Sequence, residues 1–281
     1  MSGVTPERIA ALFLAACRAE LAAPKPGNVH DHADGHGMTV ADFVVSAEAA
    51  APRLAEPGLS VGARILAAVE ATRAACGQNT NLGIVLLCAP LAAAAEGRGL
   101  LRPALARVLE GLDRRDAQAA YRAIRLASPG GLGRSERHDV TEEPLVTLRE
   151  AMQEAAGRDR IAQQYVTGYA DLFEVGVERL EACRAAGWPE PWAVLGTYLA
   201  LLAAFPDSHV QRKHGPEAAR RLQGEGAALD RMLRSQSTPQ DALQQLLEAD
   251  RDFKRRGINP GTTADLTVAA HFASDLATAM T

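Results

Sequence analysis

The sequence contains few aromatic residues, few cysteines and no excess of positive charge. Only 4% of its 281 residues are aromatic, whereas 47% are hydrophobic, with alanine and leucine dominating, and this mixture favours packed helices over β-sandwiches. Cys17, Cys76, Cys88 and Cys183 lack the close paired spacing of a zinc or redox motif. We interpret them as reduced thiols in or near the core.

The chain also lacks the charge and hydropathy patterns of nucleic-acid-binding and membrane proteins. Its formal net charge of −4 and pI near 6.0 provide no general attraction to nucleic acid or to an anionic membrane. The longest apolar run, Leu82–Ala95, has 14 residues and contains Pro90, whereas a membrane span needs about 20. The opening residues MSGVTPERIA lack the basic and apolar regions of a signal peptide. The sequence therefore predicts a cytoplasmic protein without nucleic-acid or membrane partners.

No window shows the period-two alternation of a strand, and apolar residues recur at helical spacing along most of the chain. Thr5, Pro6 and Glu7 form a helix start with a capping hydroxyl, a proline suited to the first turn and an acid that favours the positive end of the helix dipole. That helix ends at Pro24, and further helices are predicted at Thr39–Glu56, Ser60–Cys76, Leu82–Glu96, Pro103–Asp113, Asp116–Ala127, Glu143–Ala156, Arg158–Ala186, Pro191–Phe205, Pro216–Ser235, Thr238–Arg255 and Thr262–Met280. The charged stretch AGRDRIAQQ divides the chain only weakly. We predict one all-α domain over residues 1–281, with roughly a dozen helices.

The segments between these helices are unusually rich in glycine, asparagine, aspartate, histidine and basic residues. They read PKPGNVHDHADGHG, CGQNTNLG, SPGGLGRSERHDV, FPDSHVQRKHG and GINPGTTADL. Ordinary connections between helices are short and carry no such pattern. We expect these five segments to converge at one end of the helical bundle and to form a functional site there.

Several of these segments lead directly into a helix, where free N–H groups and the helix dipole favour an anion. Glycines allow a phosphate to approach the backbone, and neutralising cations are available in Lys25, Arg134, Arg137, Arg212 and Lys213. A polyphosphate ligand fits this composition.

Carboxylates in the same segments are candidate ligands for Mg²⁺. Asp34, Asp207 and Asp265 supply the oxygen ligands that Mg²⁺ prefers, and this ion commonly bridges to phosphate oxygens. Each segment also has a purely structural interpretation. The PKPG tetrapeptide is a typical turn, Asn79 and Thr80 are typical helix caps, and Asp265 follows Thr262 at the spacing of a capping arrangement.

A zinc hydrolase is a weaker alternative. The stretch HDHADGH, which contains His30, His32, Asp34 and His36, is similar to the HxHxDH signature of the metallo-β-lactamase fold, but Gly35 displaces the last histidine by one position. That signature belongs between strands and helices, and we predict no strands. A hard cation bound by Asp34 is favoured over a three-histidine zinc site. The glycine-rich SPGGLGRS contains neither a G-x-S-x-G nucleophile elbow nor a dinucleotide-binding fingerprint.

Taken in order, the segments resemble the triphosphoribosyl-dephospho-CoA synthase family. The resemblance covers most of the chain and depends on PKPGNV at 24–29, GHGM at 35–38, GQNTNLG at 77–83, SPGGLGRSE at 128–136, PDSHVQRKHG at 206–215 and NPGTTADL at 259–266. It implies an all-α enzyme that transfers a ribosyl group from ATP to the ribose 2′-hydroxyl of dephospho-CoA and expels adenine. Such a substitution at an anomeric carbon passes through an oxocarbenium-like transition state and needs a base for the hydroxyl proton and an acid for the leaving purine.

The resemblance also implies roles for individual residues. It assigns the nucleotide phosphates to Lys25, Asn28, Asn79, Thr80 and Gly83, and we add Gly27, Arg134 and Arg212 to this set from the chemistry of their segments. Mg²⁺ and cations would hold the phosphates. The resemblance suggests metal or ribose binding for Asp34, Asp207 and Asp265, and acid or base catalysis for Asp34, His36 or Glu136.

Two departures from the family pattern bear on the substrate. The chain reads Asn79-Thr80-Asn81-Leu82-Gly83 where typical synthases read roughly N-T-H-K-G, so a lysine expected near the triphosphate is missing, and the glycine-rich block also differs. Such divergent members are similar to proteins encoded beside one-carbon cofactor genes. This suggests a ribosyl phosphate transferase in the biosynthesis of a tetrahydromethanopterin-type cofactor, with phosphoribosyl diphosphate in place of ATP.

Two other function classes stay open at this stage. A metal-dependent phosphohydrolase or nucleosidase would use the same phosphate and metal sites but leave room for water at the acceptor position. A noncatalytic helical protein would bind a nucleotide or a partner without turnover. The alanine-rich helices permit a homodimer as readily as internal packing.

Overall fold

The computed structural model of the protein describes residues 3–128 and 138–281. Within these residues the chain forms fourteen α-helices and no strand, with only two isolated β-bridges in the segment 30–38. This confirms the all-α prediction. The helices are α1 (Pro6–Ala22), α2 (Val40–Leu54), α3 (Val61–Cys76), α4 (Leu82–Ala95), α5 (Leu101–Glu110), α6 (Arg114–Ala127), α7 (Leu148–Ala155), α8 (Arg160–Thr167), α9 (Glu178–Ala185), α10 (Glu190–Ala204), α11 (Ser208–His214), α12 (Pro216–Ser235), α13 (Leu243–Arg255) and α14 (Gly261–Met280).

The helices pack into two compact units, each with its own core. Unit 1 comprises Met1–Ala15, Asp42–Ala170 and Phe272–Thr281, and unit 2 comprises Ala16–Ala41 and Asp171–His271. The assignment of residues 1–281 to one domain stays a prediction.

In unit 1, α4 is an almost wholly buried helix with a proline inside it. Pro90 has no N–H, so the carbonyl of Leu86 loses its helical donor. The Tyr165 hydroxyl replaces that donor at 2.6 Å, and Tyr169 donates to the Leu87 carbonyl at 2.9 Å. Tyr165 therefore satisfies the carbonyl that the proline leaves without a donor, and Tyr169 adds a second hydrogen bond from the same part of the chain to α4.

In unit 2, α10 is the central helix and is buried continuously from Ala193 to Leu202. Buried side chains of α9, α12 and α13 pack around it, including Leu180, Leu222 and Phe253. Among the described helices none alone has the length and hydropathy to cross a membrane, whereas the bent pair α10 and α11 meets these two criteria jointly, by length and composition only.

The structure differs from the predicted helices mainly in two places. Arg158–Ala186, predicted as one helix, is interrupted because Gly168 and Tyr169 adopt left-handed conformations with φ of 66° and 64° and a π-helical turn follows at Leu172–Val177. The segment FPDSHVQRKHG, predicted as a connection, contains α11, which Asp207 caps. The 3₁₀ turn Pro239–Ala242 precedes α13 inside the predicted helix Thr238–Arg255.

Candidate active site

The PKPGNV motif begins a segment that is buried from Pro24 to His30. Lys25 is fully buried, and its ammonium lies 2.5 Å from Glu20 Oε1 and donates to the Val29 carbonyl at 2.8 Å. Burial lowers the pKa of Lys25, and the Glu20 carboxylate opposes that shift. The cation predicted to bind phosphate is therefore already paired inside the fold.

Gly27 is the tightest point of this segment. Its φ is 83°, and a Cβ there would lie 3.0 Å from Pro260 Cδ and 3.1 Å from Phe253 Cβ, so only glycine fits. Its N–H donates to Asp250 Oδ1 at 2.9 Å, and the neighbouring Asn28 donates from Nδ2 to Asn259 Oδ1 at 2.9 Å. These bonds join the PKPGNV segment to α13 and to the NPGTTADL motif.

Asp207 joins the PDSHVQRKHG motif to the same NPGTTADL motif. Its Oδ1 accepts from the Val210 N–H at 2.9 Å, and its Oδ2 accepts from both the N–H and the hydroxyl of Thr263 at 2.8 Å. The His209 N–H donates to Thr262 Oγ1 at 3.1 Å. Three of the five predicted segments therefore meet in unit 2.

The Asp207 carboxylate is 2% exposed and lies at the N-terminal ends of α11 and α14. Burial raises its pKa, and the hydrogen bonds from Val210 and Thr263 oppose the shift. The dipoles of both helices favour a negative charge at this position. This geometry suits a residue that positions the two motifs.

His36 and Asp34 lie on the exposed part of the first segment. His36 has a left-handed backbone with φ of 57°, and its Nε2 lies 2.9 Å from the Gly27 carbonyl oxygen. Because a carbonyl only accepts, Nε2 carries the proton, and in the neutral form of the ring Nδ1 is the acceptor. Asp34 Oδ1 accepts one hydrogen bond, from the Val40 N–H at 3.2 Å. Both predicted catalytic side chains are thus placed where a ligand can reach them.

His209 is a candidate site residue that the sequence analysis missed. Its Nε2 is buried and has no hydrogen-bond partner among the described residues, and a Cβ at Gly261 would lie 3.4 Å from the ring. Burial lowers the pKa of His209 to about 3, with further lowering by Lys213, Arg212 and His36. The His209 imidazole is therefore neutral beside the cations Arg212 and Lys213. An unsatisfied buried polar atom costs roughly 1–3 kcal/mol, which a ligand atom would relieve.

Asp250 and Lys254 of α13 were also missed. They are spaced i,i+4 and bond each other at 3.0 Å, and Lys254 donates to the Ala33 carbonyl at 3.0 Å. In the sequence they appear as one more exposed ion pair on an amphipathic helix. Only the fold shows that this pair contacts the segment 24–38.

The GQNTNLG motif lies in unit 1. Asn79 Oδ1 accepts from the Leu82 N–H at 3.2 Å, and Thr80 Oγ1 lies 2.5 Å from Ser46 Oγ. Buried Asn81 donates to Thr72 Oγ1 at 3.0 Å. Asn79 therefore acts as a local cap, in keeping with the structural interpretation of this motif.

The start of α4 follows directly from this motif. Leu82, at the position where the family resemblance expects a lysine, is 8% exposed, and Gly83 is half-buried beside it. No acidic residue lies in the first turn of α4. The positive end of this helix therefore carries no local countercharge within its first turn.

Among the described residues, no three His, Cys, Asp or Glu side chains converge in a way that could hold a metal ion. Asp34 is exposed, Asp207 is buried, and Asp265 is half-buried in α14 just after its first turn, where its charge helps to raise the pKa of Cys17. The His30, His32, Asp34 and His36 alternative likewise forms no metal cluster.

The remaining predicted residues divide between α11 and the undescribed segment. Arg212 is half-buried in the last turn of α11. Arg134, Arg137 and Glu136 lie outside the described residues.

The fold and these motifs define an all-helical enzyme with its polar residues on interhelical segments. The model of the family CitG, ATP:dephospho-CoA triphosphoribosyl transferase, matches residues 6–280, and the chain belongs to this family. It is therefore a transferase, as the sequence predicted. A crystal structure of a candidate triphosphoribosyl-dephospho-CoA synthase from Archaeoglobus fulgidus is similar, with 26% identity and a TM-score of 0.64 over 83% of this chain and 97% of that one. No curated protein matched.

Proposed function

We propose that this enzyme transfers a ribosyl group from a magnesium-bound donor to a hydroxyl acceptor, using the exposed side chains of unit 2. The reference reaction is that of the family, in which ATP and dephospho-CoA are the substrates. The C1′–N9 bond of ATP breaks, the acceptor oxygen bonds to C1′, adenine leaves, and the hydroxyl proton passes to a base.

The observation that carries this proposal is the hydrogen bond between His36 Nε2 and the Gly27 carbonyl at 2.9 Å. It holds one tautomer, so that Nδ1 of an exposed ring is ready to accept a proton from the acceptor hydroxyl. Asp34, two residues earlier on the same exposed stretch, is the alternative base. Glu136 stays the proposed acid for protonating the departing purine.

The donor phosphates would be held by the cationic end of α11. Arg212 and Lys213 lie in its last turn, and His209 would offer its unsatisfied Nε2 to a phosphate or ribose oxygen. This arrangement supports binding of an anion through charge and hydrogen bonding together. A ligand in this position would satisfy a buried group and neutralise the cations that depress the pKa of His209.

Mg²⁺ would reach the site with the donor. The described carboxylates form no cluster of three, and Mg²⁺ is often bound by one or two carboxylates plus substrate phosphates. The exposed Asp34 fits such a role better than Asp207, whose oxygens already accept from Val210 and Thr263. When bound, the ion would neutralise phosphate charge.

The leucine at position 82 favours a second candidate for the ribosyl donor substrate. Its buried side chain supplies no charge for a triphosphate, so phosphoribosyl diphosphate is the competing donor, as expected for a tetrahydromethanopterin-type cofactor pathway. With pyrophosphate leaving, no acid is required to protonate a purine. Cytoplasmic location and homodimer formation, both expected from the sequence, also stay predictions.

The test is acceptor-dependent release of the leaving group. Purified protein is incubated with ATP or phosphoribosyl diphosphate, with and without Mg²⁺ and dephospho-CoA, and adenine and pyrophosphate are quantified. His36→Gln should lower kcat by roughly 10²–10⁴-fold with donor binding retained, whereas His32→Gln, an exposed histidine of the same segment, should change little.

The alternatives give different results. Release without acceptor would favour the hydrolase or nucleosidase. Donor binding without turnover, unchanged by Asp34→Asn, would favour a noncatalytic protein. Full activity of His36→Gln would exclude His36 as the base.

A further inference from the structure

We propose that Asp250 and Lys254 form a positioning pair that holds the segment 24–38 and, through the backbone N–H and carbonyl of Gly27, fixes the orientation of His36. The pair lies outside every motif that identifies the family resemblance. The inference rests on the proposed role of His36 as the base, and it makes Asp250 and Lys254 positioning residues because neither is placed at the reacting atoms.

Asp250 gathers contacts from two parts of the segment. Its Oδ1 accepts from the Gly27 N–H at 2.9 Å and lies 3.4 Å from His30 Nε2. His30 is 1% exposed, and its Nδ1 accepts from the His32 N–H at 3.3 Å, so Nε2 of the neutral ring carries the proton and points toward Asp250. The carboxylate itself is 2% exposed.

Lys254 completes the attachment one helical turn later. Its ammonium bonds Asp250 Oδ2 at 3.0 Å and donates to the Ala33 carbonyl at 3.0 Å. A Cβ at Gly35 would lie 3.0 Å from Lys254 Cε, so the aliphatic stem packs directly against the segment. Together the two side chains hold the segment by hydrogen bonds at residues 27 and 33, and the buried His30 ring lies in electrostatic contact with Asp250 at 3.4 Å.

The electrostatics agree with this arrangement. Burial alone would raise the pKa of Asp250, but its contacts with His30, Lys254 and Gly27 together hold it below the ordinary value. Asp250 is therefore an anion that accepts from the Gly27 N–H and pairs with the Lys254 ammonium, and a charged acceptor holds an N–H more firmly than a neutral one.

The connection from Asp250 to His36 runs through one residue. Gly27 donates its N–H to Asp250 and accepts from His36 Nε2 on its carbonyl at 2.9 Å. Displacement of Gly27 would therefore move the acceptor that selects the His36 tautomer. The left-handed φ of Gly27 and its contacts with Pro260 and Phe253 leave the residue little other freedom.

The experiment measures the His36 ring directly by ¹⁵N-resolved NMR of the ligand-free protein. In the wild type, Nε2 should be protonated and Nδ1 unprotonated. In Asp250→Asn the neutral amide holds Lys254 and the Gly27 N–H less firmly, so the Gly27 carbonyl no longer selects one tautomer of the His36 ring. A mixture of His36 tautomers should appear, with kcat reduced about 100-fold and KM little changed. Lys254→Met, which keeps the stem, should shift the ring in the same direction.

Asp230→Asn is the matched control. Asp230 is also a buried aspartate of unit 2 that bonds two cations, Arg179 at 2.7 Å and Arg234 at 3.1 Å, and both of these partners lie outside the segment 24–38. It should lower stability without moving the His36 signals.

Each outcome decides the inference. Unchanged His36 signals and kcat in folded Asp250→Asn and Lys254→Met would overturn it, and if Asp250→Asn fails to fold, Lys254→Met gives the answer alone. A shifted tautomer with normal kcat would instead remove His36 from the chemistry and leave the positioning intact. The NMR result and the kinetic result therefore separate the two proposals.

Discussion

Substitution of Asp207 by asparagine should destabilise unit 2, whereas the same change at Asp34 should not. Both residues were predicted from the sequence as metal ligands, but their surroundings differ. Asp207 is 2% exposed and accepts three hydrogen bonds, from the Val210 N–H and from the N–H and hydroxyl of Thr263. Asp34 is exposed and accepts one, from the Val40 N–H.

The expected magnitude follows from these contacts. An asparagine at 207 keeps one acceptor oxygen, so its amino group faces a donor and at least one buried N–H loses its acceptor, at a cost of about 1–3 kcal/mol. Loss of the negative charge at the N-terminal ends of α11 and α14 costs about 0.3–1 kcal/mol for each helix. The sum is roughly 2–5 kcal/mol. Asp34→Asn retains its acceptor, so its change should stay within about 0.5 kcal/mol.

Urea denaturation followed by tryptophan fluorescence measures the difference in unfolding free energy between the two variants, and it reports on unit 2. The two tryptophans, Trp188 and Trp192, both lie in unit 2. Asp34→Asn should abolish turnover with an unchanged unfolding curve. An unchanged unfolding free energy for Asp207→Asn would refute the reasoning, because it would mean that the carboxylate does not support the two helices and is available to a ligand.

The remaining predictions concern two ionic groups of unit 2. Lys25→Met should destabilise the protein by about 3–5 kcal/mol because it leaves the Glu20 carboxylate buried and unpaired. In the same urea assay, the double variant that also carries Glu20→Gln should recover most of that loss. A double variant as unstable as Lys25→Met alone would contradict this prediction. His271 and Arg184 lower the pKa of Glu190 from 4.5 to about 2, so its contribution to stability should be full above pH 4.5 and lost as the pH falls toward 2. The difference in melting temperature between wild type and Glu190→Gln should shrink as the pH falls from 4.5 to 2. A difference that is as large at pH 2 as at pH 4.5 would contradict this assignment.

The sequence predicted the helices well where a local signal marks their ends. Thr5, Pro6 and Pro24 mark the limits of α1, and a helical period with few aromatic residues sufficed for the all-α class. It did not predict the break at Gly168 and Tyr169, because a left-handed tyrosine is set by tertiary contacts and not by propensity. It also treated α11 as a connection, since a seven-residue helix is too short to show a period.

The sequence predicted that five segments converge, and the structure brings three of them together in unit 2, whereas the roles of their residues stay predictions. Segments 24–38, 206–215 and 259–266 do meet, as their composition suggested. Asp250 and Lys254 were not identified, because an i,i+4 ion pair on a helix has the same sequence whether it faces solvent or a loop. His209 was not identified because its significance lies in a buried Nε2 that only the packed structure reveals.

The PKPGNV motif shows why a motif cannot be assigned to a ligand one residue at a time. An N–H group has a single proton, and that of Gly27 is donated to Asp250; the ammonium of Lys25 is likewise engaged by Glu20 and Val29. A phosphate could take either group only by displacing a buried partner, which would leave a carboxylate unsatisfied at a cost above that of an ordinary hydrogen bond. The exposed His36 and Asp34 carry no such cost. The buried half of the segment therefore sets the geometry, and its exposed half is the part able to bind and react.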